Sequence, residues 1–129
     1  MTIDQNRMKQ VADAYTAAWN SGSADGVAQF YAPDGRIVIN RGRPWEGRAG
    51  VAAMAAGFYA DVPDLHLTCD GVRSADDHVV FLWTYTGTDA RTGQPVRVSG
   101  WEEWDVDEDL KVQSSCGWFP TAPNSPQTT

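Results

Sequence analysis

The feature that most constrains this chain is a change of hydrophobic period at Pro63. Before it, apolar residues recur with the 3.6-residue repeat of a helix; after it they alternate with period 2, as in strands with one buried face. Over residues 3–21, Met8, Val11, Ala12, Tyr15, Ala18 and Trp19 form one stripe, and Gly22 follows as a helix stop. Ser23 or Asp25 caps a second, short helix carrying Val27, Phe30 and Tyr31 inward. Pro33-Asp34-Gly35 predicts a turn, residues 36–40 a β-branched strand, and residues 42–47 an irregular loop. A third helix over 48–60 places Val51, Met54, Ala55, Phe58 and Tyr59 on one side.

Strands are predicted over 65–73, 79–88, 96–106 and 111–119, and the short links between them specify an antiparallel meander. Helices first and strands afterwards mean an α+β fold: three N-terminal helices on one face of a strongly curved, mainly antiparallel sheet. Residues 120–129 contain three prolines and no apolar pattern, so they read as a flexible tail after a single domain over 1–119.

Charge narrows the function classes. Ten Lys and Arg against 17 Asp and Glu give a net charge of -7, which argues against nucleic-acid or anionic-membrane partners. The charge is uneven, with arginines gathered at 36, 41, 43 and 48 and six carboxylates within 102–109. No apolar run reaches the ~18–20 residues of a membrane span, and the N-terminus lacks a signal-peptide core, so a cytoplasmic location is expected. Cys69 and Cys116 have no metal-ligand spacing and read as small buried hydrophobes. With two distant histidines and no phosphate- or dinucleotide-binding loop, neither a metal nor a cofactor is expected.

Two stretches carry a resemblance. Tyr15-x3-Trp19-Asn20-x-Gly22-x2-Asp25-Gly26 and Phe30-Tyr31-Ala32-Pro33-Asp34-Gly35 resemble the first half of the nuclear transport factor 2-like superfamily. Pro63-Asp64-Leu65-His66, Trp83-Thr84-x-Thr86-Gly87-Thr88 and Gly100-Trp101 through Trp118-Phe119 are similar to its SnoaL-like polyketide cyclase branch, whose outline the steroid delta-isomerases share. The resemblance implies a cone in which three helices close over a bent sheet around an apolar pocket. It also implies a homodimer through the outer sheet face, where Trp101, Cys116 and Trp118 would lie. Cyclases, isomerases, dehydratases, epoxide hydrolases and non-catalytic partner modules all use this cone, so the reaction has to be argued from the site.

Alignment on the isomerase pattern puts Tyr15, Trp19, Phe58 and Tyr59 at pocket positions of the helices. On the strands the inward set becomes His66; Phe81, Trp83 and Tyr85; Val98, Gly100, Glu102 and Trp104; then Ser115, Gly117 and Phe119, with the two glycines leaving room for a ligand. Tyr31, Trp19, Phe58, Tyr59, Trp83, Tyr85, Trp104 and Phe119 are the expected substrate contacts, although the same aromatics would also fill a solid core.

Glu102 matches the isomerases' protonated acid, unless a one-residue slip presents Glu103 instead. Tyr15 matches their oxyanion tyrosine, and its bland alternative is a core tyrosine. The isomerases' base position holds Ile39, which cannot take a proton, so His66, oriented by Asp64, is the remaining candidate base. The expected chemistry is cofactor-free proton transfer (cyclisation, isomerisation or dehydration) on an apolar, carbonyl-bearing ring compound. The alternative is a non-catalytic module that binds a hydrophobic ligand or a protein.

Overall fold

The computed structural model describes residues 4–120; all but the first residue of the tail expected over 120–129 lies outside the described residues. The chain runs α1 (Gln5–Asn20), α2 (Ala24–Ala28), β1 (Tyr31–Ile39), β2 (Trp45–Glu46), α3 (Gly47–Asp61), β3 (His66–Ala75), β4 (His78–Thr88), β5 (Pro95–Val106) and β6 (Val112–Trp118). Asp4 caps α1 by accepting from the Asn6 and Arg7 amides, and Ser23 caps α2 by accepting from Gly26. Met8, Ala12, Tyr15 and Trp19 are the buried stripe of α1, which lies over β3, while α3 lies over β1.

One six-stranded sheet has the order β2-β1-β6-β5-β4-β3. The predicted meander is present: β3, β4, β5 and β6 pair antiparallel in sequence. The one parallel pair joins β1 to β6, because the chain leaves β1 through α3 and returns beside it only after three further strands.

The start of β1 departs from the sequence reading. The strand begins at Tyr31 rather than Arg36, and Pro33-Asp34-Gly35 forms an irregularity within it rather than a separating turn. Between the pairs Tyr31↔Val112 and Arg36↔Ser114 the β1 side carries three extra residues. Gly35 makes this possible, since an added Cβ there would lie 2.6 Å from the Val112 carbonyl oxygen. Tyr31 therefore enters the interior from a strand, not from α2. The loop expected over 42–47 contains β2, which pairs Trp45 with Ile37 and Glu46 with Arg36.

A second departure concerns phase. Leu65, just before β3, and Leu67 within it turn their side chains inward, so His66 faces out and is exposed. Alternation of two leucines around one imidazole decides this, because burying both leucines removes far more apolar surface from water than burying His66. Asp64 is committed elsewhere: its carboxylate accepts from the Thr88 amide at 2.7 Å and the Thr88 hydroxyl at 2.9 Å. Those hydrogen bonds hold its carboxyl below the usual range. The expected His66–Asp64 pair is not formed.

Candidate active site

The β5 phase presents Glu102 and Trp104 inward, both buried, and leaves Glu103 on the outer face beside His78, 3.8 Å away. Four elements converge on the Glu102 carboxylate. Its Oε1 accepts from the Trp104 indole N–H at 2.8 Å, the Ser115 hydroxyl at 3.1 Å, the Tyr15 hydroxyl at 3.2 Å and the Tyr31 hydroxyl at 3.3 Å. Its Oε2 has only Tyr15, at 3.3 Å. The two tyrosine hydroxyls are 3.2 Å apart. A phenol has one proton, so Tyr15 serves only one of these acceptors at a time. Oε2 is thus the oxygen with unused capacity.

Burial pushes the Glu102 carboxyl above its ordinary range. Hydrogen bonds from Trp104, Ser115, Tyr15 and Tyr31 pull the other way without cancelling that effect. Among the described residues no cation pairs with Glu102. Burial, and then the Glu102 charge, raise the Tyr15 and Tyr31 hydroxyls well above the usual phenol range, so both stay protonated donors.

Glu102 borders an inner cavity of about 40 Å³, whose wall is otherwise apolar or aromatic: Trp19, Ile37, Ile39, Met54, Phe58, Leu65, Leu67, Trp83, Tyr85 and Gly117. That volume suits about three waters or the head of a ligand, well below the ~300 Å³ of a complete small-molecule pocket. Ile39, Met54 and Phe58 also border a second, outer cavity of about 400 Å³, together with Trp45, Gly57, Ala60 and Asp61. The two cavities therefore adjoin across Ile39, Met54 and Phe58.

Of the expected contacts, Trp19, Phe58, Trp83 and Tyr85 line the inner chamber. Tyr15, Tyr31 and Trp104 stand behind the carboxyl and hold it. Phe119 packs edge-on against Phe58 and Trp83, and Tyr59 donates its hydroxyl to the Trp19 carbonyl at 2.7 Å. His66 takes no part. The two inward glycines differ. Gly117 leaves room, with the nearest atom to an added Cβ, Glu102 Cγ, 3.8 Å away. At Gly100 the space is filled, since a Cβ there would meet the Trp118 carbonyl oxygen at 2.2 Å and the Trp83 ring at 2.8 Å. The sequence reading assigned no role to Ser115 and saw Trp104 as a ligand contact; the alternation of β5 and β6 around Glu102 was the available signal for both.

Three helices closing over a bent, mainly antiparallel sheet, with a carboxyl at the base of an apolar chamber, define the nuclear transport factor 2-like α+β cone. Within that class the chain belongs to the SnoaL-like domain family, whose profile matches residues 12–114. Among solved structures it is similar to a hypothetical protein with a ketosteroid isomerase-like fold from Catenulispora acidiphila, in complex with trimethylamine. The two are 21% identical, with a TM-score of 0.79 over 86% of this chain and 85% of that one. It is also similar to AclR, a proposed hydroxylase from Streptomyces galilaeus, at 23% identity and a TM-score of 0.79 over 93% of each chain. An NTF2-like protein of unknown function from Exiguobacterium sp. 255-15 matches at 13% identity and a TM-score of 0.74, over 87% of this chain and 99% of that one. At these identities the likeness is one of fold. No curated protein sequence matches significantly. Among the described residues no helix is long and apolar enough to cross a membrane.

Proposed function

We propose that this SnoaL-like domain, taken as one domain over residues 1–119, binds a small, apolar, carbonyl-bearing ring compound and moves a proton on it without a cofactor. The observation that carries this reading is Glu102, a buried carboxyl with no paired cation among the described residues, beside a chamber of apolar and aromatic side chains. A carboxylate in such a place is costly to charge, and perturbed carboxyls in clefts mark sites of proton chemistry. His66 faces away and Ile39 occupies the isomerases' base position, so Glu102 is the base.

Its ionised form takes a proton from the carbon alpha to the carbonyl. The C–H electron pair becomes the C=C bond of an enolate, and the carbonyl π pair moves to oxygen. The protonated Glu102 then delivers a proton, for exchange after trading it with solvent, to the same carbon, to another carbon of the conjugated system, or to a departing hydroxide. These three fates are exchange, isomerisation and dehydration. Tyr15, Tyr31, Ser115 and Trp104 are positioning residues that act through the carboxyl.

The test is deuterium exchange at the alpha carbons of 2-tetralone in D2O, followed by proton NMR. The wild-type protein accelerates it over buffer; a rate equal to buffer would contradict the reading. Ile39 at the base position favours the alternative, saturable binding of a hydrophobic ligand without turnover. That outcome would appear as quenching of tryptophan fluorescence by 2-tetralone with no exchange.

The same proposal includes a homodimer through the outer sheet face. There Trp101 and Leu82, neighbours in register, are 40% and 38% exposed, and Trp118 pairs with Trp101. Trp101→Glu is expected to convert dimer to monomer in sedimentation velocity. An unchanged sedimentation coefficient, or a monomeric wild type, would exclude this interface.

A further inference from the structure

An enolate oxygen needs donors, and the groups expected to supply them are committed. The Tyr15 and Tyr31 hydroxyls and the Trp104 indole all point at Glu102 rather than at the chamber. Two other donors are free. Among the described residues the indole N–H groups of Trp19 and Trp83 are buried without a hydrogen-bond partner, and both side chains line the inner chamber. Each residue is 7% exposed, so solvent does not satisfy them. Buried N–H groups in native proteins are nearly always paired, and an unpaired one costs folding free energy. Two at one small cavity imply that something else completes them.

We infer that the Trp19 and Trp83 indole N–H groups form the oxygen-binding donors of this site, holding the carbonyl of the ligand while Glu102 works on the adjacent carbon. The inference rests on the proton-transfer reading above for the second half of that statement only. It specifies the ligand as one with an acceptor oxygen at its buried end and an apolar ring directed toward Ile39, Met54 and Phe58, which border the larger cavity.

The inner walls that would hold the buried end are aromatic. Trp83 is stacked on Tyr85 with centroids 5.9 Å apart and planes at 21°, and Phe58 stands edge-on to both Trp19 and Tyr85. Gly100 fixes the Trp83 donor, because its missing side chain lets the indole lie against the β5 backbone. Trp83 is the freer donor of the two. The Trp19 N–H lies close to the Tyr15 hydroxyl and favours its ionised form, so it is shared between that oxygen and the ligand. Trp118 has an unpaired N–H as well, but it does not border the chamber and its ring is covered by Arg41, with 5.7 Å between guanidinium and ring centroid.

The test compares 2-tetralone with tetralin, which has the same rings and no oxygen, in a ¹⁵N-labelled wild-type protein. The ketone is expected to bind about fivefold to tenfold more tightly, the effect of about one net hydrogen bond. It should move the Trp19 and Trp83 indole proton resonances downfield, whereas tetralin should not. Trp19→Phe and Trp83→Phe keep a ring and remove the donor, so each should lower the ketone's advantage and slow alpha exchange by about a hundredfold. Equal affinity for the two probes, unmoved indole resonances, or binding of neither probe would overturn the donor assignment. Indole shifts with no alpha exchange would leave the donors standing and refute proton transfer. Exchange without indole shifts would do the reverse. The resonance test needs no variant, so it stands if a phenylalanine substitution unfolds the domain.

Discussion

Trp104→Ala is expected to lower the unfolding free energy by about 4–5 kcal/mol, at the upper end for a large-to-small core change. Trp104 is fully buried, stacked on Phe81 with centroids 5.2 Å apart and planes at 16°, and edge-on to Tyr15 at 5.2 Å. Alanine removes that contact surface and leaves a cavity. It also removes the shortest hydrogen bond to Glu102, 2.8 Å from the indole nitrogen. Trp104→Phe separates the two losses. It keeps a ring against Phe81 and Tyr15 but leaves the carboxyl one donor short, at a cost of about 1–3 kcal/mol. Urea unfolding followed by circular dichroism checks both. A loss below about 2 kcal/mol for alanine would mean that Trp104 is not the centre of the core.

Glu102→Gln should reduce alpha exchange of 2-tetralone by about 10²–10⁴-fold, the usual contribution of a placed acid or base. Glutamine fills the same volume and keeps an acceptor for Trp104 and Ser115, but it cannot take a proton from carbon. The pH dependence is the stronger part of the expectation. Because burial raises the Glu102 carboxyl, wild-type exchange should climb as pH rises through that raised value and then level off, whereas the glutamine protein should show a flat residual rate. Tyr15→Phe removes a donor that favours the carboxylate, so its profile should shift to higher pH with a smaller loss at the plateau.

Stability carries the same signature with a defined sign. A carboxyl raised in the folded state holds its proton more tightly there than in the unfolded chain. Its stabilisation is complete below the ordinary carboxylate value and is lost as pH rises through the folded one. Glu102→Gln abolishes that slope. His78, raised mainly by its hydrogen bond to Asp105, contributes a slope of the same sign and is present in both proteins, so the comparison isolates Glu102.

Much of this site was legible before any coordinates. The stripe Met8, Ala12, Tyr15, Trp19 follows from helical spacing, and the phase of β5 follows from Val98, Trp104 and Val106 flanking Glu102. Once that phase is fixed, Tyr15 and Glu102 must meet across the interior. What could not be read has a physical reason in each case. His66 was misassigned because the bulge between Cys69 and Gly71 breaks the alternation of β3, so the later part of the strand does not set the phase at its start, and only the burial of Leu65 and Leu67 decides it. The irregularity at Pro33-Asp34-Gly35 looks like a turn because those residues favour turns; the close carbonyl of Val112, distant in sequence, makes it part of a strand. Gly100 looked like ligand space and is filled by Trp83. The unpaired state of the Trp19 and Trp83 indoles depends on what surrounds them in three dimensions, and no local pattern records it.

The acid titration of Glu102 itself tests the central claim most directly. The chain has four glutamates, at positions 46, 102, 103 and 108, so selective ¹³C labelling of the glutamate carboxyls gives four signals to follow with pH. One of them should titrate above the ordinary carboxylate range, vanish in Glu102→Gln, and respond to saturating 2-tetralone. Four signals that all titrate in the ordinary range would show that Glu102 is an unperturbed carboxylate and contradict its role as the proton carrier of this site.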